Sequence, residues 1–569
     1  MITPVENFGT TGTVGVGNAS ADQAAFTSAA AAGGYISLTP GTTYYLTNKI
    51  ATAANKSGFI CPSGFATIVM KTGTGQFDLS SFDTSFLWSG RHVCFNSNGF
   101  DDIIYQGIKF QLEASASIRC AIAIALRGGQ RNAVKCCDFT GFDLPFRGML
   151  TIQSVREFEV SNCSWYDCTS SKAGLSNGTS SVNPQTTGIE IDNDSVSGSY
   201  QTYSSWGRIV NCTFRNFELS GGAASGGQQS DAINIQNQGK DTTGKIIISN
   251  INAEKVGELL DIFGSDVSAN NIRGNDIFLT PIKIIHGASR IKVTGVQVHR
   301  TGFAGVSVGN SGNVSWNTSN IEVTDCLITD IGYHRSAYTT YTYCPGVHFD
   351  GGNSPMTKEQ NAYVSGYFAG YNNGTTPTMT CVVQQTSSGA ATTAINNVFE
   401  GDGDTYADGG SVYFSKKVNS TGGDVIIRRR KKSCVRAFLS SGGMGLSANA
   451  AIPFNAASMD TNVEFNTSSG AFTAKCHMAL RVRATYRNGG VPTGDVTNIS
   501  ILKNGLQQAT AQWTGAGDAN CPVVEDIVIV QPGDVITVTQ SYLDNPGGTF
   551  PAQNLTTGSD LTYLIIQEL

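Results

Sequence analysis

Charge is scarce in this chain of 569 residues: Asp, Glu, Lys and Arg together make up only 14% of it. Solvent-facing helices draw on those residues, so a mostly helical protein is excluded. No apolar run approaches ~18 residues, the length a membrane-crossing helix needs, so no membrane insertion is expected. A basic excess is missing as well. The formal net charge is -6, which argues against nucleic acid as a partner. The opening "MITPVENFGTTG" lacks the charged-then-apolar pattern of a secretory signal. The expectation is a protein made in a cytoplasm that does not enter a Sec-type route as a precursor. Fourteen cysteines include no CxxC pair, and Cys136 and Cys137 are adjacent. They read as buried free thiols acting as small hydrophobes. Neither a metal nor another cofactor is expected.

What the chain has in quantity is glycine, 66 residues, together with Asn, Ser, Thr, Val and Ile. That is a β-rich composition with many turns, and the length suggests roughly 2–4 domains. Two short units alternate. One has an N-C-x-aromatic flavour: "VKCCDF" at Val134, "VSNCSW" at Val160, "IVNCTF" at Ile209, "IISNINA" at Ile247, "VTGVQV" at Val293 and "VTDCLI" at Val323. Aligned, Cys137, Cys163, Cys212, Ile251, Val296 and Cys326 form a small apolar column. Asn162, Asn211, Asn250 and Asp325 run beside it, as expected for side chains hydrogen-bonding in a ladder. The second unit recurs as "MLTIQS" at Met149, "GIEIDN" at Gly188, "AINIQN" at Ala232, "LLDIFG" at Leu259, "PIKIIHG" at Pro281, "GVSVGN" at Gly305 and "GVHFDGG" at Gly346. Short strands, an irregular period and Gly/Asn turns point to a parallel β-solenoid.

The segment "DQAAFTSAAAAGGYISLTPGTTYYL" reads as an Asp-started, Ala-rich helix that caps the solenoid and turns through Gly-Gly into a strand. It resembles the opening of pectin-lyase-like right-handed β-helix proteins. From about Leu446 the composition changes to alternating strands, "MALRVRATY", "NISILKNG" and "VVEDIVIVQPGDVITVTQ". With "DTNVEFNTSSGAFTA", these resemble the complement-type globular head, a tumour-necrosis-factor-like jelly roll, which implies a trimer. The combination resembles bacteriophage tailspikes and capsular polysaccharide depolymerases. The expected fold is all-β: a right-handed parallel β-helix followed by an antiparallel jelly-roll-like trimerisation domain. The expected division is 1–45 cap, 46–350 β-helix carrying the site, 351–445 late rungs or a β-rich connector, and 446–569 trimerisation domain. The resemblance implies a homotrimer on a virion tail, attached to the tail or to another tail-fibre protein and acting on a bacterial surface polysaccharide.

Candidate site residues come from the second repeat. "TTGIEIDND" at Thr186 alternates apolar Ile189 and Ile191 with acidic Glu190 and Asp192. With the isoleucines inward, Thr151, Glu190, Asn234, Asp261, Lys283, Ser307 and His348 form one outward column at ~4.8 Å spacing. Asp231 enters the strand after Glu190, so Glu190, Asp192, Asp231 and Asp261 are expected on one solvent-facing face. Glu190 and Asp261, two strands apart, are ~9.6 Å apart at the backbone. That is near the ~6.5–9.5 Å that leaves room for water in an inverting glycosidase. Glu190 is the expected general acid, Asp231 or Asp261 the base, and Asp192 a tuning group. Asn234, Gln236, Lys283 and His286 lie around them, and Trp165, Tyr203 and Trp206 are expected to stack on sugars. Glycine- and serine-rich stretches at 170–186, 195–205 and 220–230 are expected to wall a groove.

Pectin-degrading hydrolases of this fold are matched only at Asp231 of "SDAINI", and Thr187 stands where their Asp would be. Two alternatives remain open. A polysaccharide lyase would draw on Lys283, His286, Arg290 and Lys292. A non-catalytic receptor-binding fibre would only hydrogen-bond glycan hydroxyls.

Overall fold

The structure is a computed structural model. It describes residues 2–569 except 72–91, 114–120, 143–147, 169–185, 193–205, 218–229, 237–244, 310–317, 334–343, 351–360, 370–379, 386–396, 404–412, 419–425, 430–431, 442–449, 476–477, 488–493, 515–521, 532, 544–554 and 559–560. The expected groove-walling stretches, Tyr203, and most of the aromatic loop that follows Tyr333 lie outside the described residues.

The described residues are mostly strand. The helix Ala19–Ala32 follows from its alanine run, but its N-cap is Asn18, whose side chain accepts from the N–H of Ala21. This corrects the expected Asp start. Asp22 lies inside the first turn, fully buried, where it accepts from the N–H groups of Gly15 at 2.7 Å and Tyr45 at 2.8 Å. The carboxylate ties the helix to the first strands instead of capping it.

From Thr186 the chain passes alternately between two parallel sheets. Thr186–Asp192, Ser230–Gln236, Glu258–Ile262, Ile282–Ile284 and Val306–Gly309 are successive strands of a 12-stranded sheet. Trp206–Phe217, Ile246–Val256, Val267–Ile277, Ser289–Thr301 and Ser319–Thr329 between them belong to a 19-stranded sheet. Register follows the period-two alternation of aliphatic residues along each strand. Ile189, Ile233, Leu260, Ile282 and Val306 pair across neighbouring strands, as do Ile191, Ile235, Ile262, Ile284 and Val308. All ten are buried. A one-residue slip would turn every one of them to the other face.

Polar ladders mark the bends of the second sheet. Asn211 donates to Asn162 at 3.1 Å, Asn250 to Asn211 at 2.9 Å and Asn271 to Asn250 at 2.8 Å. Each of these asparagines has φ between 52° and 57°, a left-handed conformation that Asn tolerates better than most residues. Ile272 joins the small apolar column between Ile251 and Val296. Cys137, Cys163, Cys212 and Cys326 are buried and free, as read from the sequence.

Trp165 corrects an expectation. It is fully buried in a stack in which Phe110, Phe139, Trp165 and Phe214 follow one another at centroid distances of 5.3, 4.7 and 4.7 Å. It pairs in register with Phe139 and Phe214 on the apolar face of its strand, so it is core and does not face a glycan. Trp165→Ala should cost about 3–5 kcal/mol of stability, read as a lowered denaturant midpoint.

Five strands from 351–445 belong to these two sheets: Ala362–Ala369, Val398–Gly403 and Ile426–Arg429 to the 19-stranded one, Thr380–Gln385 and Tyr413–Val418 to the 12-stranded one. Ala362–Ala369 pairs with Ser319–Thr329, and Thr380–Gln385 pairs with Val347–Asp350. The chain divides into two compact units, 1–399 with 417–426, and 400–416 with 427–569. The second holds two antiparallel sheets of five and six strands, the sixth of the latter being the short strand Ala450–Ala451. Cys434–Phe438 belongs to the five-stranded one, pairing with Tyr563–Glu568. That unit therefore starts ahead of residue 446. A pairing partner more than a hundred residues away leaves no mark on local composition.

Candidate active site

The 12-stranded sheet carries the expected column. Thr151, Glu190, Asn234, Asp261, Lys283, Ser307 and His348 pair one to the next across seven strands. A second column, three residues nearer each strand's start, is set by Thr187, Asp231 and Glu258. A bulge brings the two columns together. The N–H groups of Leu259 and Leu260 both donate to the carbonyl of Pro281, at 3.1 and 2.9 Å. Ala123 and Ile124 share the carbonyl of Met149 in the same way. The extra residue breaks the alternation, so side chains three apart share a face: Asp231 with Asn234, and Glu258 with Asp261.

Asn234 donates to Asp231 Oδ2 at 3.0 Å and to Asp261 Oδ2 at 3.2 Å. Lys283 Nζ donates to Glu258 Oε2 at 3.1 Å and to Asp261 Oδ2 at 3.2 Å. Glu190 Oε2 accepts from the N–H of Gly148 at 3.0 Å. Only glycine permits that approach, because a Cβ on Gly148 would lie 2.5 Å from the N of Glu190.

These carboxylates are not on a solvent-facing surface, as the alternation suggested. Asp231 and Asp261 are fully buried, and Glu190, Asn234 and Glu258 are at most 3% exposed. Three carboxylates against one ammonium leave an excess of negative charge in a dry site, and the titration of the group follows from that. Burial, reinforced by the charge of Asp261, pushes Asp231 up to about 7. Glu190 is close enough to add to this rise. Burial raises Glu258 and Asp261 too, against the pull of Lys283. Burial alone would lower Lys283, but the charges of Asp261, Glu258 and Asp231 outweigh it and hold the ammonium above its usual value. His286, half-buried with its ring against Phe263 at 4.5 Å, is lowered to about 4 by burial and by Lys283, so it is neutral at pH 7.

Asp231 Oδ1, Asn234 Oδ1 and Asp261 Oδ1 are buried and have no hydrogen-bond partner among the described residues. Such atoms are rare in folded proteins unless something else satisfies them. Asp231, Glu258 and Asp261 each offer one carboxylate oxygen within 4.8 Å of the others. These are hard donors of the kind calcium takes, and Lys283 competes for two of the same side chains.

Of the residues named from the sequence, Asp231, Asp261, Asn234 and Lys283 are thus brought into contact, with Glu190 and His286 beside them. Gln236 and Asp192 pair in backbone register one step further along their strands. The side chain of Asp192 lies outside the described residues. Trp206 is 56% exposed and opens a strand of the other sheet, opposite Glu157. Arg290 and Lys292 are also on the other sheet, ion-paired with Asp266 at 2.7 Å and Glu322 at 2.9 Å. They do not join Lys283.

Glu258 is the residue the sequence reading missed. Its signal was available: "SDAINIQ" laid over "GELLDIF" puts Glu258 under Asp231 and Asp261 under Asn234. Beginning the repeat at Leu259 left it out by one residue.

No family model and no curated protein sequence matches the chain. Among solved structures, the globular domain of zebrafish complement 1qA protein is similar, with 11% identity and a TM-score of 0.19, covering 24% of this chain and 95% of that one. The Eiger TNF of S. frugiperda is similar at 8% identity and a TM-score of 0.20, covering 25% and 94%. Murine APRIL is similar at 11% identity and a TM-score of 0.20, covering 24% and 100%.

Proposed function

We propose that this protein is a tailspike-type depolymerase that hydrolyses glycosidic bonds in a bacterial surface polysaccharide, capsule or O-antigen. The observation that carries the reading is Asp231, a buried carboxyl group whose proton is held to about pH 7 beside further carboxylates. A glycosidase needs one carboxyl group that stays protonated and another that activates water. Asp231 is the acid and donates its proton to the leaving glycosidic oxygen. Asp231 and Asp261 approach within 4.8 Å, closer than the ~6.5–9.5 Å that accommodates a water. The water-activating carboxylate is therefore Glu190, on the neighbouring strand. Water attacks the anomeric carbon as the bond to the leaving oxygen breaks, and Glu190 takes its proton. The buried acceptor oxygens of Asn234 and Asp261 suit sugar hydroxyls, which supply the donors they lack.

In this reading the two parallel sheets close into a right-handed β-helix, and the C-terminal unit is a jelly roll that assembles as a homotrimer. Val523, Ile527 and Ile529 on an edge strand of its five-stranded sheet are 44%, 60% and 61% exposed. Aliphatic side chains so exposed on one strand suit burial against a second copy. The spike would belong to the virion tail, held by the tail or another tail-fibre protein.

The test is incubation with an array of purified capsular and O-polysaccharides. New reducing ends with inverted anomeric configuration, and no ultraviolet absorbance of an unsaturated uronate, are the expected result. Absorbance with the new ends would mean β-elimination, for which the carboxylate oxygens and Lys283 are the available groups. Binding without new ends would leave a receptor-binding fibre.

A further inference from the structure

The face that carries Glu190 extends three strands towards the N-terminus, and its character changes on the way. Register places Asn96 beside Ala125, and Asn98 beside Arg127. Arg127 in turn pairs with Gln153, and Gln153 with Asp192. Their apolar neighbours fix the direction of these side chains. Phe95 is in the aromatic core, and Leu126 and Ile152 are fully buried in register. Asn96, Asn98, Arg127 and Gln153 therefore stand on the same face as Glu190 and Asn234.

This region is built as a binding site would be. Arg127 is only 5% exposed, and its Nε donates to Gln153 Oε1 at 2.8 Å. Asn96 is 1% exposed, and among the described residues neither its Oδ1 nor its Nδ2 has a hydrogen-bond partner. Asn98 Oδ1 and Gln153 Nε2 also lack one. Donors and acceptors buried together in this way are what the hydroxyl and carboxylate groups of a sugar would satisfy. A guanidinium adds a preference, because its planar fork matches a carboxylate.

We propose that Asn96, Asn98, Arg127 and Gln153 form a subsite for an acidic sugar of the same glycan chain, with Arg127 taking the sugar carboxylate. This rests on the glycan-cleaving reading above and deepens it by naming the substrate class. The face is polarised. Asp231, Glu258 and Asp261 lie three to four strands from Arg127, roughly 14–19 Å at the spacing of parallel strands. The carboxylates repel an acidic sugar at the cleavage point, and Arg127 attracts one a few sugar units away. The two ends together set which bond of the repeating unit is cut.

The experiment compares each polysaccharide on the array with the same polymer after chemical reduction of its carboxyl groups to alcohols. The unaltered protein should bind an acidic polymer, and reduction should weaken binding about ten- to a hundredfold, as for loss of a hydrogen bond to a charged group. Arg127→Gln should weaken binding of the native polymer by a similar factor. It should leave binding of the reduced polymer nearly unchanged. Arg127→Lys should recover part of the loss. Equal affinity of the unaltered protein for native and reduced polymers would overturn the subsite while leaving glycan cleavage standing. An equal loss of both polymers in Arg127→Gln would show an internal structural role and overturn it as well. Absence of binding to every polymer would overturn this subsite and the glycan reading together. The comparison on the unaltered protein decides the matter even if Arg127→Gln does not fold.

Discussion

Replacing Asp231 by Asn should lower glycan cleavage by about 10²- to 10⁴-fold, the usual contribution of a positioned general acid, while glycan binding is kept. Asn is close in size and can still accept from Asn234, which donates to Asp231 Oδ2 at 3.0 Å. The variant removes only the transferable proton. Cleavage by the unaltered protein should fall as pH rises through about 7, where Asp231 loses that proton. Stability should move the other way in the variant. The folded-state value lies above the usual 3.8 of an aspartate, so folding favours the protonated form. That contribution is fully present below pH 3.8 and is lost as pH rises through about 7. At pH 8 the unaltered protein holds a buried charge that the variant lacks. Asp231→Asn should therefore be the more stable of the two at pH 8, by at most roughly 4 kcal/mol, and nearly equal at pH 4. Denaturation at both pH values reads this. Undiminished cleavage in Asp231→Asn would remove Asp231 from the mechanism.

Lys283→Met should strongly destabilise the first unit. The ammonium bonds Glu258 at 3.1 Å and Asp261 at 3.2 Å, and its side chain is 13% exposed. Removing it leaves buried carboxylates with no positive charge in contact. Breaking a buried pair from one side costs about 3–5 kcal/mol, a large share of the stability of most domains. The loss should be greatest at pH 8 and smaller at pH 5, where protons on the carboxylates take over the neutralising role. Adding Asp231→Asn to Lys283→Met should recover part of it, because one negative charge is gone and groups in contact are not additive. Equal losses at pH 5 and pH 8 would mean that Lys283 acts by packing and not by charge.

Glu258 shows why such a cluster is only partly legible in a sequence. Period-two alternation assigns Glu190, Asn234 and Asp261 to one face with no further information, and the strand register agrees. Alternation also assigns Asp231 and Asn234 to opposite faces, yet the two are hydrogen-bonded. The bulge that reconciles them is a backbone event, visible where Leu259 and Leu260 donate to one carbonyl. No residue type announces it.

Trp165 makes the same point for burial. An aromatic next to a Gly- and Ser-rich stretch can stack on a ligand or on its own kind. The choice depends on what the neighbouring strands bring into register, and here they bring Phe139 and Phe214.

The sequence by itself determined the repeat: the inward isoleucines, the asparagine ladder, the buried thiols, the parallel strands and the change of character towards the C-terminus. Those features repeat along the chain, and a repeated local pattern needs no knowledge of distant contacts. Tertiary structure alone decided that the carboxylates are buried, that Lys283 lies between two of them, and that Arg290 and Lys292 belong to another sheet. It also decided that Cys434–Phe438 pairs with the last strand of the chain. The physical reason is common to all four. Burial, charge balance and strand partnership depend on residues far apart in sequence, and only folding brings them within a few ångströms.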